Sequence, residues 1–218
     1  ALSVWIPERK AVFVGDLYYQ SFPNIYTLRG TKPRWALDYV NSLQKVMDLE
    51  PEILIPSHGG QIRGRDKIQE TLGQYRDAIL YVHDAVVQGM NAGKSVDELA
   101  ANIRLPKNLE LPEIYGRVDW SVRGIYLGYA GWFDGNPSTM LGVDQRQSQD
   151  TLIALAGGPD AVATQAEALL NNKEYDKALS LADVVLASDP NHSAAMNVRR
   201  AVFKARLTGS RNFNEIGW

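Results

Sequence analysis

The sequence predicts an α/β amino-terminal portion followed by an all-α remainder, and three observations carry that prediction. Two short apolar runs of strand length with a β-branched bias lie at residues 11–14 and 53–55, and they lead into Gly15-Asp16 and Pro56-Ser57-His58. Between them, Trp35, Leu37, Val40, Leu43, Val46, Met47 and Leu49 recur at roughly helical spacing. From Arg65 onward the apolar residues return every three or four positions over long stretches, with no further strand-like run.

Residues 2–6 and 11–14 are strand-like around the polar turn Pro7-Glu8-Arg9-Lys10, which predicts an antiparallel hairpin. Residues 17–32 form a long loop with three tyrosines, Phe22, Pro23 and Arg29; loops of that length are more often functional than idle. Residues 34–50 then make a helical crossover of the kind that joins parallel neighbours in one sheet. That topology would set Asp16 and His58, both capable of binding metal, across the carboxyl edge of two strands, where open α/β folds place their chemistry. Arg29 carries a permanently charged planar fork suited to two oxygens of a tetrahedral oxyanion, or else pairs with a nearby acid. Arg34, just after Pro33, reads equally as a second cation near that oxyanion or as the polar start of the helix.

A helix over residues 65–90 follows from Ile68, Leu72, Tyr75, Ile79, Val82 and Val86, and Asn91-Ala92-Gly93 stops it. His83 falls near that stripe and is expected to be partly buried and hydrogen-bonded. Ser95 with Glu98 forms a capping box for a short helix to Asn102, and residues 105–112 are a proline-bounded loop. Residues 115–133 are dense in aromatics and glycine; Val122, Tyr126 and Tyr129 share a helical face, and Gly124 and Gly128 would let another helix approach. Gly135-Asn136-Pro137 reads as a helix stop and residues 144–150 as a polar linker. Residues 159–208 read as helical hairpins over 161–171, 175–188 and 193–207, with His192 a solvated turn residue. Leu170, Tyr175, Ala178, Leu181, Ala182, Pro190, Asn191, Ala194 and Ala195 resemble one tetratricopeptide repeat, and one repeat cannot bury its own apolar face.

Phe13-Val14-Gly15-Asp16 and Pro56-Ser57-His58-Gly59 are similar to the last two metal-binding motifs of metallo-β-lactamase-fold hydrolases. The run from Tyr18 to Gly30, ending Asn24-Ile25-Tyr26-Thr27-Leu28-Arg29-Gly30, resembles the segment between those motifs in the zinc-dependent alkylsulfatases. Gly131-Trp132-Phe133-Asp134-Gly135-Asn136-Pro137 resembles the helical dimerisation region of the same family, so the resemblance covers nearly the whole chain. It implies hydrolysis of alkyl sulfate esters to alcohol and inorganic sulfate at a binuclear zinc centre. Asp16 and His58 would be catalytic metal ligands, Arg29 would contact the sulfate, and the helical region would form a homodimer. Residues 1–64 would be the carboxyl-terminal part of a metallo-β-lactamase αββα sandwich, 65–208 the helical dimerisation domain, and 209–218 a truncated linker to a missing lipid-transfer-like domain.

The family's first metal motif, His-x-His-x-Asp-His, is absent, because the histidines are His58, His83 and His192 alone. The expectation is that the amino-terminal half of the catalytic domain is missing. Two protein donors are fewer than zinc takes, so these residues alone should hold zinc weakly or not at all and be inactive. Carboxylate and imidazole also accept manganese or iron. Two other readings are open: another ester hydrolase on the same fold, such as a lactonase or phosphoesterase, or a non-catalytic helical interaction module.

Composition bounds these readings. The 218 residues are 45% hydrophobic and 22% charged with net charge -2, an ordinary globular composition that points to neither nucleic acid nor an anionic membrane surface. The absence of cysteine excludes disulfides, thiolate zinc sites and cysteine nucleophiles. No run of 18 apolar residues marks a membrane span, and the start on a strand-like run shows no signal peptide. The compartment is unread from composition, and the resemblance leans toward a periplasmic or secreted bacterial enzyme.

Overall fold

A computed structural model describes residues 2–30, 32, 34–142 and 144–217, with the side chain of Gln145 excepted. Pro33, expected at the helix entry, and the chain ends at Ala1 and Trp218 lie outside the described residues. The chain divides into two compact units, Ala1–Trp132 together with Arg211–Trp218, and Phe133–Ser210.

In the first unit, β1 (Val4–Ile6) pairs antiparallel with β2 (Ala11–Gly15) across a single 3-10 turn at Pro7–Arg9. The helix α1 (Ala36–Asp48) crosses over to β3 (Ile53–Pro56), which pairs parallel with β2. A two-residue strand, β4 (Ile62–Arg63), joins β3 antiparallel and completes the order β1-β2-β3-β4. It was not expected, since two residues carry no periodic signal. Val12 and Val14 are buried while Phe13 between them is 42% exposed, the period of two that marks one covered face. That face shares a core with Leu43 and Val46 of α1 and with Ile68, Leu72, Tyr75 and Ile79 of α2 (Arg65–Asn91).

The helix α3 (Val96–Asn102) begins at the Ser95–Glu98 capping box, with both reciprocal bonds formed. The next helix, α4 (Val118–Ala130), stops at Gly131 with φ 74°, so the stop lies ahead of the expected Gly135-Asn136-Pro137, where Asn136 instead caps a new one-turn helix, α5 (Pro137–Met140). The α4 glycines do not receive another helix. A Cβ at Gly124 would stand 2.9 Å from Cβ of Tyr26, and one at Gly128 would stand 2.7 Å from the Trp35 ring.

These contacts hold the long loop in place. Ser21, 1% exposed, donates from Oγ to the Pro112 carbonyl (2.9 Å) and accepts from the amides of Ile114 (3.0 Å) and Tyr115 (3.2 Å). Backbone bonds from Phe22 to Pro112 (2.7 Å) and from Gly116 to Phe22 (3.2 Å) continue the seam. Gly116 lies so close under Pro23 that a Cβ would overlap its carbonyl.

The second unit holds α5, α6 (Gln145–Leu155), α7 (Pro159–Asn171), α8 (Tyr175–Ser188) and α9 (Ser193–Leu207). Residues 144–150, expected as a linker, instead open α6, because the Asp144 carboxylate accepts from the Arg146 amide (2.9 Å) and caps it. Ala166, Ala178, Ala182 and Ala195 are fully buried, and small side chains at facing positions allow the close packing of α7, α8 and α9. His192 is not a solvated turn residue: its side chain is 11% exposed, Nδ1 caps α9 at the Ala195 amide (3.4 Å), and Nε2 meets Asp160 (3.1 Å). A short helix, α10 (Phe213–Ile216), belongs to the first unit. Among the described residues, no helix is long and apolar enough to cross a membrane.

The Gly116–Pro23 contact makes a direct stability test. Gly116→Ala forces backbone apart from backbone and should cost about 1–3 kcal/mol in denaturant-monitored stability; an unchanged midpoint would show that the seam is not under tension.

Candidate functional site

The parallel pairing of β2 and β3 brings their carboxyl ends to one edge, where Gly15 registers with Pro56 and the Ser57 amide donates to the Gly15 carbonyl at 3.1 Å. Gly15 sits at φ 56°, in the left-handed region that lets the chain turn out of the sheet at once. The result is that Asp16 Oδ1 stands 3.4 Å from His58 Nε2, with both side chains about half exposed (54% and 57%). At that separation and exposure, mutual attraction stabilises the fold little, so the pair converges without saturating either group. Two aromatic rings meet the imidazole from one side, Tyr19 edge-on at 6.4 Å and Tyr115 tilted by 35° at 6.0 Å, and these two rings are themselves 5.6 Å apart.

A cavity of about 450 Å³ opens beside this edge, lined by Asp16, Arg34, Trp35, Asp38, Tyr39 and Ser57 among others. Arg34 is its cation. Loop residues fix it there, since Nη1 donates to the Asn24 carbonyl (3.1 Å) and its amide to the Ile25 carbonyl (2.9 Å). Arg29 is exposed on the loop, makes no hydrogen bond or ion pair among the described residues, and does not line this cavity. The structure thus brings Asp16 and His58 together and adds Arg34 to the cavity, whose lining does not include Arg29.

Beneath the edge lies a floor of tyrosines, Tyr39, Tyr75 and Tyr18, that the sequence pattern did not bring together. Tyr39, on the buried face of α1, donates from its hydroxyl to the Asp16 carbonyl at 3.0 Å and so holds the turn that carries the carboxylate. Tyr75 packs edge-on against Tyr18 (5.1 Å), and among the described residues its buried hydroxyl, which faces the Tyr39 hydroxyl, closes no hydrogen bond of ordinary geometry. Burial first and then the Tyr19 hydroxyl push Tyr39 well above the ordinary value of 10.0, with its Tyr75 contact opposing them, and burial followed by the Tyr39 and Tyr19 hydroxyls pushes Tyr75 the same way. Tyr39 was outside the apolar stripe read for this helix, and its spacing of four from Leu43 marks a core residue and says nothing of the hydroxyl.

A carboxylate and an imidazole aimed at one point suit zinc and similar divalent ions. Among the described residues, however, no three or more of His, Cys, Asp and Glu stand close enough together to hold a metal ion. The chain therefore offers two donors of the right chemistry and not a full shell. His83 is separate from this edge in its bonding: it is buried, with Nδ1 at 2.7 Å from Asp84 and Nε2 at 2.8 Å from the Tyr129 hydroxyl.

Residues 95–216 match the family described as alkyl sulfatase dimerisation. A linear primary-alkylsulfatase from a Pseudomonas strain is 34% identical over 221 residues, covering 99% of this chain and 42% of that protein. The alkyl/aryl-sulfatase BDS1 of Saccharomyces cerevisiae is 25% identical, covering 96% of this chain and 38% of that protein. The solved structure of the stereoselective inverting sec-alkylsulfatase Pisa1 from Pseudomonas sp. superposes with a TM-score of 0.88 at 26% identity, covering 98% of this chain and 35% of that one. The chain thus spans less than half the length of these relatives.

The tyrosine floor predicts an alkaline limit. With folded values raised above 10.0, Tyr39 and Tyr75 keep their protons in the native state after the unfolded chain has lost them. The stability they contribute is full below pH 10 and lost as pH rises beyond it. Denaturation midpoints should hold to about pH 9 and then fall, together with the rise of tyrosinate absorbance. Tyr75→Phe removes a buried hydroxyl that closes no hydrogen bond of ordinary geometry among the described residues, so it should be near neutral at pH 7 and should flatten the alkaline fall; an equally steep fall would place the limit elsewhere.

Proposed function

Because the chain belongs to the alkyl sulfatase dimerisation family, we propose that it acts as part of an alkylsulfatase, a hydrolase of alkyl sulfate esters that releases alcohol and inorganic sulfate. The observation that carries this reading is the convergence of Asp16 Oδ1 and His58 Nε2 at 3.4 Å on the carboxyl edge of two parallel strands. In the proposal these two groups are ligands of a binuclear zinc centre, and polypeptide beyond these 218 residues supplies the remaining donors. Bound zinc supplies a water activated at neutral pH and positive charge opposite the departing oxyanion. Tyr39 holds the Asp16 turn. Arg29 grips the sulfate oxygens once substrate is present, and Arg34, anchored beside Asp16, contributes positive potential at the cavity.

The same proposal takes residues 1–64 as part of a metallo-β-lactamase-type sandwich, residues 65–208 as its helical dimerisation domain, and the hairpins of α7 to α9 as a tetratricopeptide-like unit. The carboxyl-edge geometry and the likeness to alkylsulfatases over nearly the whole chain support the first assignment. The alanine-lined helix packing supports the last. A homodimer is part of the reading, with the family description and the exposed Leu127 and Tyr129 on α4 in its favour.

The test uses the full-length polypeptide, with metal content and sulfate release measured side by side. Asp16→Ala and His58→Ala should each lower zinc affinity by more than about a hundredfold, beyond the usual cost of losing a supporting group, and abolish turnover. Arg29→Lys keeps the charge and loses the fork, so turnover should fall with zinc content unchanged. Full zinc retention in both ligand variants would sink the reading.

The dimer has its own expectation. Light scattering at micromolar concentration should give twice the protomer mass, from an isologous contact burying at least about 1,000 Å². A monomer would count against this part alone.

A further inference from the structure

His58 is held in an unusual way for a metal ligand. Ligating histidines are ordinarily oriented by a hydrogen bond at the second ring nitrogen. Here His58 makes no hydrogen bond with any described residue, and its polar contact is the 3.4 Å approach of Nε2 to Asp16. What restrains the ring is aromatic: Tyr19 meets it edge-on, and the Tyr115 ring lies 6.0 Å away at 35°. A half-exposed imidazole at a strand end otherwise has a broad, two-fold torsion about its ring bond.

Tyr115 is itself clamped. Its amide donates to Ser21 Oγ (3.2 Å), and its carbonyl accepts from Asn214 Nδ2 (2.7 Å) and Asn212 Nδ2 (3.3 Å). Phe213 backs its ring at 5.4 Å and 33°. The segment that delivers these groups is tightly built. Asn212, 4% exposed, also donates to the Glu113 carbonyl (2.8 Å) and caps Asn214 and Glu215, both at 3.0 Å. The Phe213 amide bonds the Ile114 carbonyl (2.8 Å), Glu215 pairs with Arg117 (3.3 Å), and Asn214 reaches Asn24 in the loop (3.1 Å). Residues 212–215, within the stretch that the resemblance assigns to a linker, thus pack against residues 113–117 and Asn24.

We propose that Tyr115 is a positioning residue for His58, and that residues 212–215 are the clamp that seats it. This rests on the reading of His58 as a metal ligand and deepens it: residues within the dimerisation-family stretch set the direction of the imidazole on the sheet edge.

The experiment is zinc binding to the full-length polypeptide by chelator competition, with metal-free thermal unfolding and the visible spectrum of the cobalt-substituted protein as companion readouts. Tyr115→Leu should weaken zinc about tenfold and change the cobalt spectrum, while Tyr115→Phe, which keeps the ring, should stay within about twofold of wild type. Asn212→Ala should reproduce the loss with Tyr115 itself intact. Wild-type affinity in Tyr115→Leu overturns the proposal. If that variant does not fold, Phe213→Ala, at a side chain 61% exposed, decides: weakened zinc supports the clamp and unchanged zinc overturns it. A wild-type protein that binds no zinc overturns the metal reading itself and this inference with it, an outcome distinct from a tight wild type with indifferent variants.

Discussion

The parallel pairing of β2 with β3 is the constraint on which the rest of the first unit depends. Parallel neighbours need a crossover, α1 supplies it, and its buried face of Ala36, Tyr39, Leu43, Val46 and Met47 then has to lie against Val12, Val14 and Leu54, while Trp35, Leu37 and Leu49 of the expected stripe stay exposed. Two chain exits follow at one sheet edge. Gly15, in the left-handed region, turns Asp16 out immediately, and Ser57 anchors to the Gly15 carbonyl so that His58 leaves beside it. A one-residue slip would reverse every side chain in β2, exposing Val12 and Val14 and burying Phe13, so the burial pattern and the Asp16–His58 approach are selected together.

Around that edge, two seams convert a long loop into rigid structure. Ser21 and Gly116 join the loop to the stretch before α4, through one buried hydroxyl that satisfies three backbone groups and through a backbone contact too close for any side chain. Glycines in α4 admit Tyr26 and Trp35 in the same manner. Arg34 is consequently fixed beside Asp16 by loop carbonyls, and the floor of buried tyrosines lies under both. The proposed chemistry therefore draws on residues spread from Asp16 to Glu215, most of them acting through shape.

Legibility in the sequence followed the range of the physics. Hairpin, crossover and α8 and α9 were read from period and from the turn residues that break the chain between elements, because those signals are local. The capping box at Ser95 was legible for the same reason. The start of α6 was missed because Asp144 caps a polar first turn that looks like linker, and β4 because two residues have no period. His192 was misplaced since its cap at Ala195 and its contact with Asp160 join separate helices. Of the candidate site, Asp16 and His58 were visible as strand-end residues. Tyr39, Tyr115 and the clamp at residues 212–215 were not, because their partners lie 23 to 99 positions away and no local pattern encodes them.

The central claim is that Asp16 and His58 hold one divalent ion between them. A crystal structure of the full-length protein grown with zinc, phased for the anomalous signal of the metal, tests it most directly. The account predicts an anomalous peak within about 2.0–2.2 Å of both an Asp16 carboxylate oxygen and an His58 ring nitrogen. A peak at other residues, with Asp16 and His58 still facing each other unligated, would contradict it.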